Sequence, residues 1–245
     1  MNILAVIPAR MNSSRLPGKP MKKILGIPMI ERVYKNVSKS KIINHIFVAT
    51  CDLEIHNYIL SIGGNSIMTS KKHKRATERT SEALLKIEKK LKKRFEIIVM
   101  VQGDEPLITG PMISKVVQPL INNKKINVSN LMTKVKNKDE FEDLNEPKVV
   151  FDNNKFALYF SRCPIPSPWV KFETAYKQVC AIPFRRNYLL KFNNLKPTSL
   201  EILESIDMNR ILQSGGEIKM VEIKDYVKSV DTLKDLKNVE KLIIK

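Results

Sequence analysis

Three short apolar runs, residues 3–7 (ILAVI), 46–50 (IFVAT) and 97–101 (IIVMV), alternate with amphipathic stretches through the first half of the chain. The run at 97–101 is continuous and mostly β-branched, the pattern of a parallel strand covered on both faces. Between the runs, residues 29–38 put Met29, Ile30, Val33, Tyr34 and Val37 on one helical face. Residues 53–62 read as a second helix, and residues 78–94 as a long one with Leu84, Leu85, Ile87 and Leu91 turned inward. Residues 111–121 give the next helix, with Pro111 suited to its first turn. Parallel neighbours need a crossover connection, so repeated strand-then-helix order restricts the fold. The expected class is α/β: a doubly wound, mainly parallel sheet with helices on both faces.

The second half changes character. Residues 148–151, 157–160 and 179–184 read as short strands separated by an Asp-Asn-Asn turn and Pro-rich loops. They predict a small mixed β lobe, near residues 130–190, inserted into the α/β core. Helices at 188–192 and 200–214, a strand at 218–221 and a helix at 232–243 complete the order, with Gly215-Gly216 as a helix stop. No linker, repeat or low-complexity block interrupts the 245 residues, so one domain is expected.

Composition narrows the function classes. No apolar run approaches the roughly 20 residues of a membrane span, and no basic leader precedes the first apolar run, so a cytoplasmic protein with no membrane partner is expected. Three cysteines, Cys51, Cys163 and Cys180, are too few and too widely spaced for a disulfide framework or a zinc site. Lys plus Arg number 43 against 25 Asp plus Glu, a formal charge of +18. The cations are mostly Lys on solvated faces such as residues 86–94 (KIEKKLKKR), without interleaved aromatic platforms for bases. That argues against a nucleic-acid partner and for the steering of a small anionic substrate.

Residues 5–21 (AVIPARMNSSRLPGKPM) carry the strongest chemical signal. The apolar strand ends in a loop with three prolines, Gly18, three small polar residues and the cations Arg10, Arg15 and Lys19. In open α/β sheets ligands bind at the carboxyl ends of strands, where backbone N–H groups, hydroxyls and cations hold phosphate oxygens. Neither G-x-x-x-x-G-K-[ST] nor G-x-G-x-x-G is present. Asp104, in QGDEP at the end of the 97–101 strand, is well placed to hold magnesium against phosphates, although a surface turn also uses Gly-Asp. Asp231, in SVDT, reads on its own as a helix N-cap. In residues 68–79 (MTSKKHKRATER), a basic helix start capped by Thr77 is the plain alternative to a ligand-reading strip. The histidines His45, His56 and His73 form no nucleophile–base pattern.

The form IPAR-x-x-S-x-RLPGKP, with QGDEP, VDT, residues 157–162 (ALYFSR) and the strip at 68–79, resembles the cytidylyltransferases that make CMP-sugar acids. Within that family it is most similar to the branch acting on 3-deoxy-manno-octulosonate (Kdo), a precursor of lipopolysaccharide or capsule. The resemblance implies a nucleotide-diphospho-sugar transferase-like fold, a homodimer, and Mg²⁺ bound by Asp104 and Asp231. It implies that CMP passes from CTP to the anomeric hydroxyl of a sugar acid, with Arg10, Arg15, Lys19 and Asp104 as catalytic residues. By the same resemblance CTP contacts fall on Ala9, Arg10, Ser13, Lys19, Thr69, His73, Arg75, Ala76, Arg79 and Gln102. Sugar contacts fall on Arg15, Gln102, Ser161, Arg162, Gln178, Glu204 and Asp207, and the lobe contributes to the sugar pocket and to dimerisation. The chain departs from the family pattern where Arg75-Ala76 replaces Ser-Gly, Gln178 a histidine, Cys180 a glycine, Ile182 a tyrosine, and Asp207-Met208 a Glu-Gln pair. A different acidic sugar (amino-Kdo or a nonulosonic acid) and a catalytically degraded relative are the alternatives. Retention of both aspartates argues against the second.

Overall fold

The computed structural model describes residues 1–13, 15–169 and 174–244. In chain order it contains β1 (Ile3–Ala9), a hairpin of β2 (Lys23–Ile24) and β3 (Ile27–Pro28), α1 (Met29–Ser38), β4 (His45–Thr50) and α2 (Leu53–Ser61). Then come β5 (Ser66–Met68), α3 (Ala76–Leu91), β6 (Ile97–Val101), α4 (Gly110–Asn122), β7 (Ser129–Lys134) and α5 (Lys138–Glu142). The remainder is β8 (Lys148–Phe151), β9 (Ala157–Ser161), β10 (Tyr176–Val179), β11 (Ala181–Arg185), α6 (Arg186–Asn193), α7 (Ser199–Glu204), α8 (Met208–Gln213), β12 (Lys219–Ile223) and α9 (Leu233–Ile244).

Two five-stranded sheets result. The first runs β11-β6-β1-β4-β5, parallel throughout except where β11 joins β6 antiparallel. The second runs β12-β7-β10-β8-β9, antiparallel except for the β12–β7 pair. Alternation along β1 builds the core on both faces. Ile3, Ala5 and Ile7 pack with α1, α2 and α4, while Leu4 and Val6 pack with Ala83, Leu84 and Ile87 of α3. The mainly parallel, doubly wound α/β sheet expected from the sequence is therefore present. Among the described residues no helix is long and apolar enough to cross a membrane.

Four local expectations need correction. The strand expected at 179–184 is two strands in different sheets, broken at Cys180. The Cys180 carbonyl accepts from the Gln102 N–H at 3.0 Å and its N–H donates to Glu105 Oε1 at 2.9 Å, so its polar groups leave the ladder for the loop after β6. The lobe consequently ends at β10 and takes in β12. The helix expected at 200–214 is broken at Ser205, whose φ of 53° ends α7. Asn209 exchanges hydrogen bonds with the Phe160 backbone (3.2 and 2.9 Å), which fixes the start of α8. Leu85 faces solvent rather than the core. Thr77 is not a cap: α3 begins at Ala76, and Glu78 Oε2 accepts from the N–H groups of Lys74 and Arg75.

Candidate active site

A cleft of about 360 Å³ opens at the carboxyl ends of β1 and β6. Its floor comes from the loop after β1. That loop is fixed by Leu16, buried with Ile24, Met29, Val230 and Val239, and by buried Pro20. Gly18 adopts φ +68° and donates to the Met11 carbonyl at 3.0 Å; a side chain there would strain this left-handed turn. Asp52 Oδ2 accepts from the Met11 N–H at 2.9 Å, tying the loop to the end of β4. With its apolar residues so held, the loop presents Arg10, Asn12, Ser13, Arg15 and Lys19 to the cleft; Ser14 lies outside the described residues.

The two aspartates meet at one ammonium group. Lys19 Nζ donates to Asp104 Oδ2 at 2.6 Å and to Asp231 Oδ1 at 2.9 Å, and Arg15 Nη2 donates to the same Asp231 oxygen at 2.9 Å. Burial pulls the Lys19 pKa down, but the two carboxylates outweigh it and hold the pKa above its ordinary value. Asp231 is not the cap of α9. Thr232 fills that place: its Oγ accepts from the Asp235 N–H (3.2 Å), while Asp235 Oδ2 accepts from the Thr232 N–H and hydroxyl (2.9 and 2.8 Å). This reciprocal box leaves the Asp231 carboxylate free to bond Lys19 and Arg15 beneath the cleft. Gly103 lets β6 end close to β1; a Cβ there would lie 3.3 Å from Ile30 Cδ1 and from the Pro8 carbonyl.

Among the described residues no cluster of three or more His, Cys, Asp or Glu side chains is placed to hold a metal. Two hard carboxylates within reach of one cation nonetheless fit magnesium, which characteristically takes one or two protein carboxylates and completes its shell with waters and substrate phosphates.

One wall of the cleft is the segment entering α3, with His73, Lys74, Arg75, Ala76 and Arg79. Thr69 does not line the cleft; buried, it donates to the Thr50 carbonyl (3.1 Å) and accepts from Arg79 Nη1 (2.5 Å), so it orients the arginine. Arg79 Nη2 is buried without a hydrogen-bond partner among the described residues, an arrangement that favours a ligand acceptor. His73 Nε2 and the Ser70 N–H both bond Glu82. Burial pushes the Glu82 carboxyl up, but its bonds to Lys86, Ser70 and His73 win and hold it at about 2.

At the other end, Ala9, Gln102, Arg162, Ser205 and Asp207 line the same cleft. Ser161 and Glu204 stand behind Arg162 instead. Glu204 accepts from Ser161 Oγ (2.8 Å), Tyr159 OH (3.0 Å) and the Arg162 N–H (2.8 Å), and its carbonyl accepts from Arg162 Nε (2.7 Å). Gln178 does not reach the cleft: its Nε2 donates to Asn130 Oδ1 at 2.6 Å inside the second sheet. Asp207 accepts from Thr77 Oγ1 at 2.9 Å, and burial raises its pKa despite that bond. Met208 is fully buried in the core.

Sequence reasoning missed the supports of this site. Glu105 is buried and its pKa is raised to about 8, first by burial and then by the Asp104 charge. Its anchoring of Cys180 couples the loop bearing Asp104 to the junction of β10 and β11. Lys228 bonds Glu146 at 2.5 Å and lies 3.4 Å from Asp235 and 3.5 Å from Asp143; Lys177 bonds Glu146 (3.2 Å) and Glu140 (2.5 Å). This buried network joins the lobe to the segment bearing Asp231. Buried charges at long sequence separation leave no periodic signal.

Comparison with known proteins identifies the family of the chain. The family model described as Cytidylyltransferase matches residues 4–224. A protein of Fusobacterium nucleatum named 3-deoxy-manno-octulosonate cytidylyltransferase is 38% identical over 240 residues, covering 98% of this chain and 96% of that one. One of the same name from Syntrophotalea carbinolica is 40% identical over 250 residues, with 98% of each covered. A solved structure of CMP:2-keto-3-deoxy-manno-octonic acid synthetase complexed with CTP superposes with a TM-score of 0.90 at 32% identity, covering 100% of this chain and 99% of that one. The chain belongs to the cytidylyltransferase family, and it is a nucleotidyltransferase by that membership.

Proposed function

We propose that this enzyme transfers CMP from CTP to the anomeric hydroxyl of 3-deoxy-manno-octulosonate, with Mg²⁺ at Asp104 and Asp231, and releases pyrophosphate. The observation that carries this is the convergence of Asp104, Asp231 and Lys19 at the foot of a cation-bearing loop. Lys19, Arg10 and Arg15 neutralise the triphosphate, and charge placed in advance where it develops accounts for much of the rate. Arg79, with a buried unpaired donor, faces the acceptor atoms of cytosine. Arg162, held by Glu204, takes the acceptor's carboxylate. The metal, when bound, supplies further charge neutralisation at the phosphates and acidifies the attacking hydroxyl. Binding both substrates in line makes the attack effectively unimolecular. The same proposal includes a cytoplasmic homodimer, tested by sedimentation.

Support comes from the relatives' shared name and from the CTP-complexed neighbour. A second reading, the same reaction on another acidic sugar, is favoured by Gln178 and Glu204, whose polar atoms are bonded within the protein. Incubation with CTP, Mg²⁺ and a panel of sugar acids separates the two. Pyrophosphate release with Kdo supports the first, and release only with another acid moves the assignment to the second.

A further inference from the structure

Arg75 extends from the entry of α3 toward the break between α7 and α8. Its Nη1 donates to Ser205 Oγ at 3.1 Å and lies 3.4 Å from the Ser205 carbonyl oxygen. Arg162 approaches the same carbonyl, with Nη2 at 3.5 Å. Two guanidinium groups therefore meet at one exposed serine in the cleft.

The carboxylates nearest them are shared with other groups. Asp207 feels the Arg75 charge and Glu204 the Arg162 charge, but Asp207 is bonded to Thr77 and Glu204 to Tyr159 and Ser161. Arg162 directs its guanidinium to the carbonyls of Glu204, Leu144 and Ser205 and is in no ion pair among the described residues. Arg75 has Glu201 at 3.7 Å, but Glu201 is already held by Arg210 through bonds of 2.6 and 2.5 Å. Asp207 lines the cleft nearby with its carboxylate bonded to Thr77. Among the described residues Arg75 Nη2 makes no hydrogen bond. Like charges gathered at a partly desolvated wall attract an anion, and planar forks match a carboxylate better than a point charge does.

We propose that Arg75 and Arg162 form a two-guanidinium clamp for the carboxylate of the acceptor, and that Arg75 sets this chain's selectivity for an acidic sugar. The proposal rests on the CMP-transfer reading above. KM values for CTP and for the sugar acid, measured separately by pyrophosphate release, test it in wild type, Arg75→Ser and Arg75→Lys, with melting temperatures alongside. Arg75→Ser is expected to raise the acid's KM about 10- to 100-fold, as for a lost charge-assisted bond, and to leave the KM for CTP within about twofold. Arg75→Lys, which keeps the charge without the fork, falls between. A rise in the KM for CTP instead makes Arg75 a nucleotide contact and overturns the clamp. Unchanged KM values with a lowered melting temperature reduce it to a latch on Ser205 and also overturn it. Calorimetric binding of the acid to the CTP-loaded protein separates the two levels. Arg75-dependent binding without pyrophosphate release overturns the transfer reading alone, and a wild type that binds no acid overturns the clamp.

Discussion

The Val230 N–H donates to the carbonyl oxygen of Asp104 at 3.0 Å. One residue further on, the Asp231 carboxylate joins that of Asp104 at Lys19. The pairing of the two acids is thus set by backbone, not by their side chains. Asp104→Asn should leave the fold intact, since the Val230 bond and the side-chain volume both remain. Turnover should fall at least about 10²- to 10³-fold, the scale for loss of a charged group acting on the transition state. Rates and melting curves check this together, and a variant of wild-type activity would remove Asp104 from the chemistry.

The Thr232–Asp235 box and Asp231 have separable roles. Thr232→Ala should cost about 1 kcal/mol of stability, the usual loss for an N-cap. Asp231→Asn loses no cap and should act mainly on turnover. Denaturation curves and rates of the two variants decide; the reverse pattern would make Asp231 the cap.

Lys228 sits among Glu146, Asp143 and Asp235. Burial lowers its pKa, yet the Glu146, Asp235 and Asp143 charges lift it well above the ordinary lysine range. Lys228→Met strands buried carboxylates and should destabilise the protein by about 3–5 kcal/mol. Urea denaturation at neutral pH measures it, and a loss below about 1 kcal/mol, the scale of an exposed pair, contradicts the network.

Glu82 gives the acid limb. Its folded pKa of about 2 lies below the ordinary value of 4.5, so its stabilisation is complete above that ordinary value. It fades as pH falls toward about 2. Glu82→Gln should therefore lower the melting temperature at pH near 6 and flatten its decline on acidification, and should raise the KM for CTP by loosening His73 and Ser70. A variant whose melting temperature declines with acid as steeply as wild type removes Glu82 from the linkage.

The fold was legible wherever burial and periodicity agreed. Residues 97–101 announced a covered parallel strand because every side chain there is apolar. The strand Ser129–Lys134 escaped because Ser129, Asn130 and Thr133 are buried polar residues, bonded to the carbonyls of Val116 (2.5 Å), Val179 (2.7 Å) and Asp225 (3.1 Å). The break at Cys180 lay within an unbroken apolar stretch, since long-range bonds to Gln102 and Glu105 create it. Ser205 ends a helix in a left-handed conformation without the glycine that advertises one. At the site, the loop after β1 stood out by its composition at a strand end. Asp104 could equally belong to a surface turn and Asp231 read on its own as a helix cap, so the pairing of the two acids was implied only by the family resemblance. The different placements of Glu204 and Gln178 follow from partners that only the folded chain supplies.

The most direct measurement is detection of the CMP–sugar phosphodiester by ³¹P NMR after mixing the protein with CTP, Kdo and Mg²⁺. Stoichiometric appearance of that product and pyrophosphate, abolished by EDTA and by Asp104→Asn, is the expected result. CTP left unchanged with Kdo and with every other acidic sugar, or product formed equally well in EDTA, would contradict a metal-assisted transfer at Asp104 and Asp231.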